Sequence, residues 1–209
     1  MDKVAILVDG SYYKKCYNAQ YKSNPKPDSI ITHCNKLLSR PEFNNKELLR
    51  IFYYDCLPYD GKEVNPMTGH EVDYSQTEPF KQSMAFFNDL MTRDNIAFRK
   101  GHLQLNGWKI ENTKLKGLIR KDQKIGIRDI KEDFKQKGVD MKIGLDIAWL
   151  ATKKIVDCII LITGDTDFVP AMKFARREGV RVILNALMTH PSPSLREHAD
   201  LTMELSPHV

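Results

Sequence analysis

Two short apolar runs dominate the pattern. Cys158-Ile-Ile-Leu-Ile162 and Val4-Ala-Ile-Leu-Val8 are unbroken, β-branched and too short for helices. Runs of this kind predict central strands of a parallel sheet covered on both faces. After Ile162 come Thr163-Gly-Asp-Thr-Asp167, then Phe168, Val169, Met172, Phe174 and Ala175 at helical spacing, and Pro170 is tolerable only near a helix start. Gly179 ends that helix and Val180 to Leu184 read as the next strand, which completes a βαβ unit.

The rest of the chain follows the same alternation. Residues 11 to 22 place Tyr13, Cys16 and Tyr17 on one helical face. Asp28 opens a helix to about Ser39, with Ile30, Ile31, Cys34, Leu37 and Leu38 as its apolar side. Glu47 to Asp55 is β-prone. Cys56 to Thr77, with Pro58, Asp60-Gly61 and Thr68-Gly69, lacks any apolar period and reads as a long loop or lid. Phe80, Met84, Phe86, Phe87, Leu90 and Met91 predict a helix over 78 to 94. Ile96 to Leu105 predicts a strand that turns at Asn106-Gly107 into a hairpin arm beginning at Trp108. From about Asp140 to Lys154 the chain is apolar almost all round, as expected of a helix buried against the sheet. Leu195 to Leu205 closes with a helix and a short strand.

At 209 residues, with 42% hydrophobic and 28% charged residues, the chain fits one α/β domain spanning 1 to 209 and excludes wholesale disorder. No apolar run spans a bilayer, and the amino terminus enters a strand directly, so a cytoplasmic, membrane-free protein is expected. Cys16, Cys34, Cys56 and Cys158 form no Cys-x-x-Cys pair, and the six histidines show no metal-ligand spacing. The net charge of +5 is unevenly spread: Arg99 to Lys142 holds 13 Lys and Arg against 6 Asp and Glu, which leaves the remainder net acidic. Residues 99 to 138 therefore read as a basic, hairpin-containing insertion.

Chemistry enters at the strand ends. In open α/β sheets ligands bind beyond the carboxyl ends of the strands. Asp9 follows the first strand, Asp165 and Asp167 follow Cys158 to Ile162, and Asp140 starts a helix. Asp55 ends a further strand. Asp146 lies about 120° around the helix axis from Asp140. One Asp before a helix is explained by capping alone. Several acids converging on one edge repel each other unless a cation neutralises them, and Mg²⁺ or Mn²⁺ suits an all-oxygen set without His or Cys.

In order, Val8-Asp9-Gly10, Arg99-Lys-Gly-His-Leu103, Lys137-Gly-Val-Asp140 with Asp146, Thr163-Gly-Asp-Thr-Asp-Phe168, Gly179-Val-Arg-Val182 and Leu195-x-x-x-Ala-Asp200 resemble the NYN domains of the PIN-like nuclease superfamily, above all its LabA-like branch. The resemblance implies a doubly wound, mostly parallel sheet with helices on both faces and metal-dependent hydrolysis of RNA phosphodiesters. It implies that Asp9, Asp140, Asp165 and Asp167 ligate Mg²⁺ or Mn²⁺ or orient the attacking water. Ser11, Tyr12, Asp55, Asp146, Thr163 and Thr166 are secondary candidates. Tyr12 stands where the family often has Asn, a substrate or water contact that Ser11 would have to replace.

The basic surplus fits a phosphate backbone approaching the acids, with Lys100, Lys109, Lys114, Lys116, Arg120 and Lys121 as contacts and single-stranded RNA as the expected partner. Trp108 is a candidate stacking surface, with a hairpin or core role as the simpler reading. A homo-oligomer is compatible with the sequence, and nothing in it distinguishes RNA from DNA. An RNA-binding or assembly module with little turnover is the competing reading, favoured by Tyr12. A haloacid dehalogenase-type phosphatase lacks its second Asp, since Asp9-Gly-Ser11 replaces Asp-x-Asp, and no Gly-x-Gly-x-x-Gly supports a dinucleotide site.

Overall fold

A computed structural model describes residues 2–187 and 190–207; Met188 and Thr189, within the loop expected after Leu184, lie outside the described residues. Seven strands are hydrogen-bonded in one mostly parallel sheet, and a separate two-stranded hairpin accompanies it. By internal contacts the chain forms two compact units. The first comprises residues 1–55, 86–100 and 138–209, and the second residues 56–85 and 101–137.

In the first unit β1 (Asp2–Asp9) lies between β2 (Lys46–Cys56) and β7 (Cys158–Ile162), parallel to both. Beyond β7 come β8 (Arg181–Asn185) and β9 (Leu201–Met203), also parallel. Val4 to Val8 and every residue of β7 are fully buried, which is why these strands are continuous apolar runs. The unit's helical elements include α1 (Gly10–Tyr21), α2 (Pro27–Leu38), the 3₁₀ turns Pro41–Phe43 and Thr166–Phe168, α5 (Val139–Thr152), α6 (Val169–Arg177) and α7 (Pro193–Glu197). α2 starts at Pro27, with Asp28 in its first turn rather than capping it.

The second unit contains β3 (Lys62–Val64) paired antiparallel with β4 (Glu71–Asp73), so the expected loop of 56 to 77 carries a hairpin. Helix α3 (Glu78–Met91) follows β4, with its residues from Phe86 onward counted in the first unit. β5 (Ile96–Ile110) runs on as a single strand, and its second half pairs antiparallel with β6 (Ile130–Lys137), while α4 (Asn112–Arg120) connects them. Asn106-Gly107 is therefore not a hairpin turn. The register moves from Leu105 opposite Phe134 to Trp108 opposite Glu132, one extra residue on β5, which is a β-bulge. Tyr59, Tyr74 and Phe134 gather with ring centroids 5.6 Å apart, and Tyr74 donates to Glu132 at 2.8 Å.

α5 corrects a second expectation. Ile143, Ile147 and Leu150 are buried, but Met141, Leu145 and Trp149 are 71%, 61% and 51% exposed. One side of this helix is covered, in part by α6, and an apolar stripe is left on the other. No helix among the described residues is long and apolar enough to cross a membrane.

Candidate functional site

Parallel pairing brings the strand ends to one edge. Asp9 is opposite Tyr54, Val8 opposite Ile162, and Ile162 opposite Asn185. The next residues out, Asp55 and Thr163, thus flank Asp9 on either side. Gly10 makes the first turn tight: a Cβ there would stand 2.6 Å from the Tyr54 carbonyl oxygen and 2.8 Å from Asp55 Oδ2. Only glycine lets α1 begin so close to β2.

Asp9, 6% exposed, is held on both oxygens. Oδ1 accepts from the Ser11 hydroxyl at 3.0 Å and the Tyr12 N–H at 3.1 Å, and Oδ2 accepts from the Thr163 hydroxyl at 3.2 Å. It is thus the N-cap of α1 as well as an acid at the edge. Burial raises its pKa, against the three hydrogen bonds, and the nearby Asp55 raises it further. Asp165 also caps, accepting from the Asp167 N–H at 2.9 Å, while its own N–H donates to Thr163 Oγ1 at 3.2 Å. Asp165, Thr166 and Asp167 are exposed.

Asp140 lies in the first turn of α5, and its carboxyl is pushed above the ordinary aspartate range. Partial burial is the main cause, followed by the charges of Asp9, Asp165 and Asp167. Three acids from two other segments thus act on a fourth. The donor set is all oxygen and suits a hard cation that keeps part of its water shell. Among the described residues, no three His, Cys, Asp or Glu side chains form a cluster that would hold an ion as they stand.

The two remaining acids are engaged elsewhere. Asp55, 1% exposed, forms an ion pair with Lys14 at 2.6 Å and accepts from Tyr53 at 3.3 Å. Asp146 is 8% exposed and forms a forked pair with Arg99, at 2.8 and 2.5 Å, while accepting from Tyr54 at 2.8 Å. It ties α5 to β2 and to the first half of β5. Burial and this carboxylate drive the Tyr54 hydroxyl pKa upward, keeping it a donor.

Tyr12 is engaged within the protein. Its hydroxyl donates to the Ala186 carbonyl at 2.5 Å, and its ring covers Gly164, where a Cβ would stand 2.5 Å from ring carbon Cε2. Asn185, at the end of β8, escaped the sequence reading. It is fully buried, accepts from the Leu187 N–H at 2.8 Å, and its carboxamide nitrogen has no hydrogen-bond partner among the described residues. The available signal was its position, a polar residue closing an apolar strand.

Of the basic candidates, Lys100 belongs to the first unit and the others to the second. Lys114, Lys116, Arg120 and Lys121 are exposed on and just after α4, and Lys114 donates to the Arg128 carbonyl at 2.7 Å. Lys109 is paired with Asp133. Trp108 is half-buried in β5.

The NYN domain model matches residues 56–206. That span contains Asp140, Asp146, Asp165 and Asp167, while Asp9 and Asp55 precede it. An uncharacterized protein, y4oD, from Sinorhizobium fredii is 38% identical over 88 residues, 40% of this chain and 40% of that protein. The chain thus spans well under two thirds of that relative. A crystal structure of a protein of unknown function from Vibrio parahaemolyticus superposes with a TM-score of 0.55 at 17% identity, covering 98% of this chain and 93% of that one. That likeness concerns the fold.

Proposed function

Because the chain belongs to the NYN domain family, we propose that it is a metal-dependent ribonuclease, of the LabA-like branch, hydrolysing phosphodiester bonds at the carboxyl edge of its parallel strands. The observation that carries this reading is the meeting of separate segments at the strand ends: Thr163 donates to Asp9 and accepts from the Asp165 N–H, and the charges of Asp9, Asp165 and Asp167 reach Asp140. Such mutual repulsion is costly in a resting protein and useful where a cation and a phosphate are to be bound.

Asp9, Asp140, Asp165 and Asp167 would hold Mg²⁺ or Mn²⁺. The ion would neutralise the acids, polarise the phosphate and lower the pKa of a bound water. The hydrogen bonds from Ser11, Tyr12 and Thr163 hold the Asp9 carboxylate in place before substrate arrives. Asp140, in the first turn of α5, would ligate the ion or orient the attacking water. Lys100 and the exposed cations of α4 would offset the charge of the approaching strand. One domain over 1 to 209, doubly wound and carrying the basic segment 99–138 as an insertion, is part of the same proposal.

A second reading, an RNA-binding module of little turnover, is favoured by the commitment of Tyr12 to Ala186 and Gly164 rather than to substrate. Incubation of the purified protein with labelled single-stranded RNA and the matching DNA, in Mn²⁺ or Mg²⁺, separates the two. Cleavage of RNA that disappears with chelator and in Asp165→Asn is expected. Binding without cleavage would select the module, and cleavage that survives both treatments would exclude these acids from the chemistry.

A further inference from the structure

The acidic edge leaves the outer face of α5 unused. Met141, Leu145 and Trp149 recur every fourth residue, so they form one stripe along the helix, and all three are exposed. Gly144 and Ala148 lie between them without adding charge. Beside the stripe, Phe98, Arg99, Lys100, Lys142, Leu145 and Asp146 line an open cavity of about 300 Å³. Phe98 and Leu145 give it apolar surface, and the two lysines give it positive charge.

Its one carboxylate, Asp146, is already occupied by Arg99 and Tyr54. Lys142 Nζ donates to the Lys100 carbonyl at 2.5 Å, and neither ammonium has a carboxylate partner among the described residues. Arg99 is held by two parallel bonds to Asp146, yet 42% of its side chain remains exposed. One face of this guanidinium lies over the Phe52 ring, 5.6 Å from its centroid, so a base would stack on the opposite face.

We propose that this cavity and the adjoining stripe of α5 form a subsite for a single-stranded nucleic acid. An unstacked base would lie against Leu145 and the Arg99 guanidinium, strand phosphates would meet Lys100 and Lys142, and a further base would stack on Trp149. Residues four apart on a helix are separated by about 6 Å along its axis. That exceeds the roughly 3.4 Å between bases stacked in a duplex strand, so this surface suits bases parted from one another. Aromatic platforms beside cations are the usual means of holding single strands. The stripe begins one residue after Asp140, so a strand seated on α5 leads away from the acidic edge.

Charge argues against a second copy as the occupant. Twofold pairing of this face would bring another Lys100 and Lys142 beside the first pair, with no free carboxylate in the cavity to offset them.

The proposal rests on nucleic acid being the ligand of the proposed enzyme, but it is tested by binding alone, in chelator, so that loss of cleavage does not affect the outcome. Anisotropy is measured with a labelled oligouridylate and with an abasic strand of equal length. The oligouridylate is expected to bind more tightly. Changing Leu145→Ala and Trp149→Ala together is expected to weaken it by about tenfold while leaving the abasic strand unchanged. Lys100→Gln with Lys142→Gln should weaken both strands alike. In Trp108→Phe, oligouridylate should quench the fluorescence of the remaining Trp149. Thermal melts confirm folding, since the altered α5 side chains are exposed.

Equal affinity of the parent for both strands, or oligouridylate binding unaffected by the α5 changes, would overturn the proposal. Light scattering that shows a dimer dispersed by Trp149→Ala, with oligouridylate binding unaltered, would assign the face to a second copy. Base-dependent binding in a protein that cleaves nothing would sink the nuclease reading and leave this one standing.

Discussion

Asp140 makes the free protein less stable than it need be. Burial first, and then the charges of Asp9, Asp165 and Asp167, hold its carboxyl above the ordinary aspartate range, and burial does the same to Asp9. A raised folded-state pKa means that the folded chain binds the proton more tightly than the unfolded one. The associated stability is therefore complete below the unfolded value, near pH 4, and is lost as pH rises through the folded value. Asp140→Asn removes one such group. In chelator the variant is expected to melt higher than the parent at about pH 7, with the difference closing as pH falls below about 4. Melting curves across this range check the claim, and equal melting temperatures at neutral pH would detach Asp140 from the cluster. Added Mg²⁺ or Mn²⁺ should favour the parent instead, because an ion that binds only the folded state stabilises it by mass action.

Tyr12 acts between elements rather than within one. From the first turn of α1 its ring covers Gly164 after β7, and its hydroxyl reaches the carbonyl beyond β8. Gly164→Ala would push a methyl into that ring and is expected to cost about 1–3 kcal/mol, as overpacking does. Tyr12→Ala empties the same space. The double variant should be more stable than the sum of the two losses predicts, by denaturant unfolding, and strict additivity would show that ring and glycine are independent. The glycine in Thr163-Gly164-Asp165 was visible as a turn signal, but the ring that requires it stands 152 positions earlier in the chain and left no local trace. The strand ends were legible for the opposite reason. Burial on both faces makes Val4 to Val8 of β1 and the whole of β7 continuous apolar runs, and Asp9 and Asp165 come after these runs by chain order alone. Asn106-Gly107 misled because the dipeptide suits a bulge as well as a hairpin turn. On α5, composition could not say which apolar residues are covered. The burial of Asp146 depends on Tyr54 and Arg99, partners 92 and 47 positions away.

At the scale of the whole molecule, a net charge of +5 attracts any polyanion, so contact has to be separated from bulk attraction. Lys109 and Lys131 are already paired with Asp133 and Glu111, whereas Lys114, Lys116 and Lys121 are exposed and form no ion pair among the described residues, Lys114 meeting only the Arg128 carbonyl. If α4 meets the strand, changing these three to Gln should weaken binding of single-stranded RNA and lower the slope of log affinity against log salt by about 2, at roughly 0.7 for each phosphate. Lys109→Gln should change the slope far less. A control of equal charge lies in the first unit, where Lys173, Arg177 and Arg181 line a cleft of about 680 Å³ near the start of β8, the edge opposite the acids. Neutralising these three lowers the net charge by the same amount. A slope that drops only with the α4 variant locates the phosphates on that helix; equal drops would mean that binding follows total charge, and an unchanged slope in the α4 variant would remove the helix from the interface.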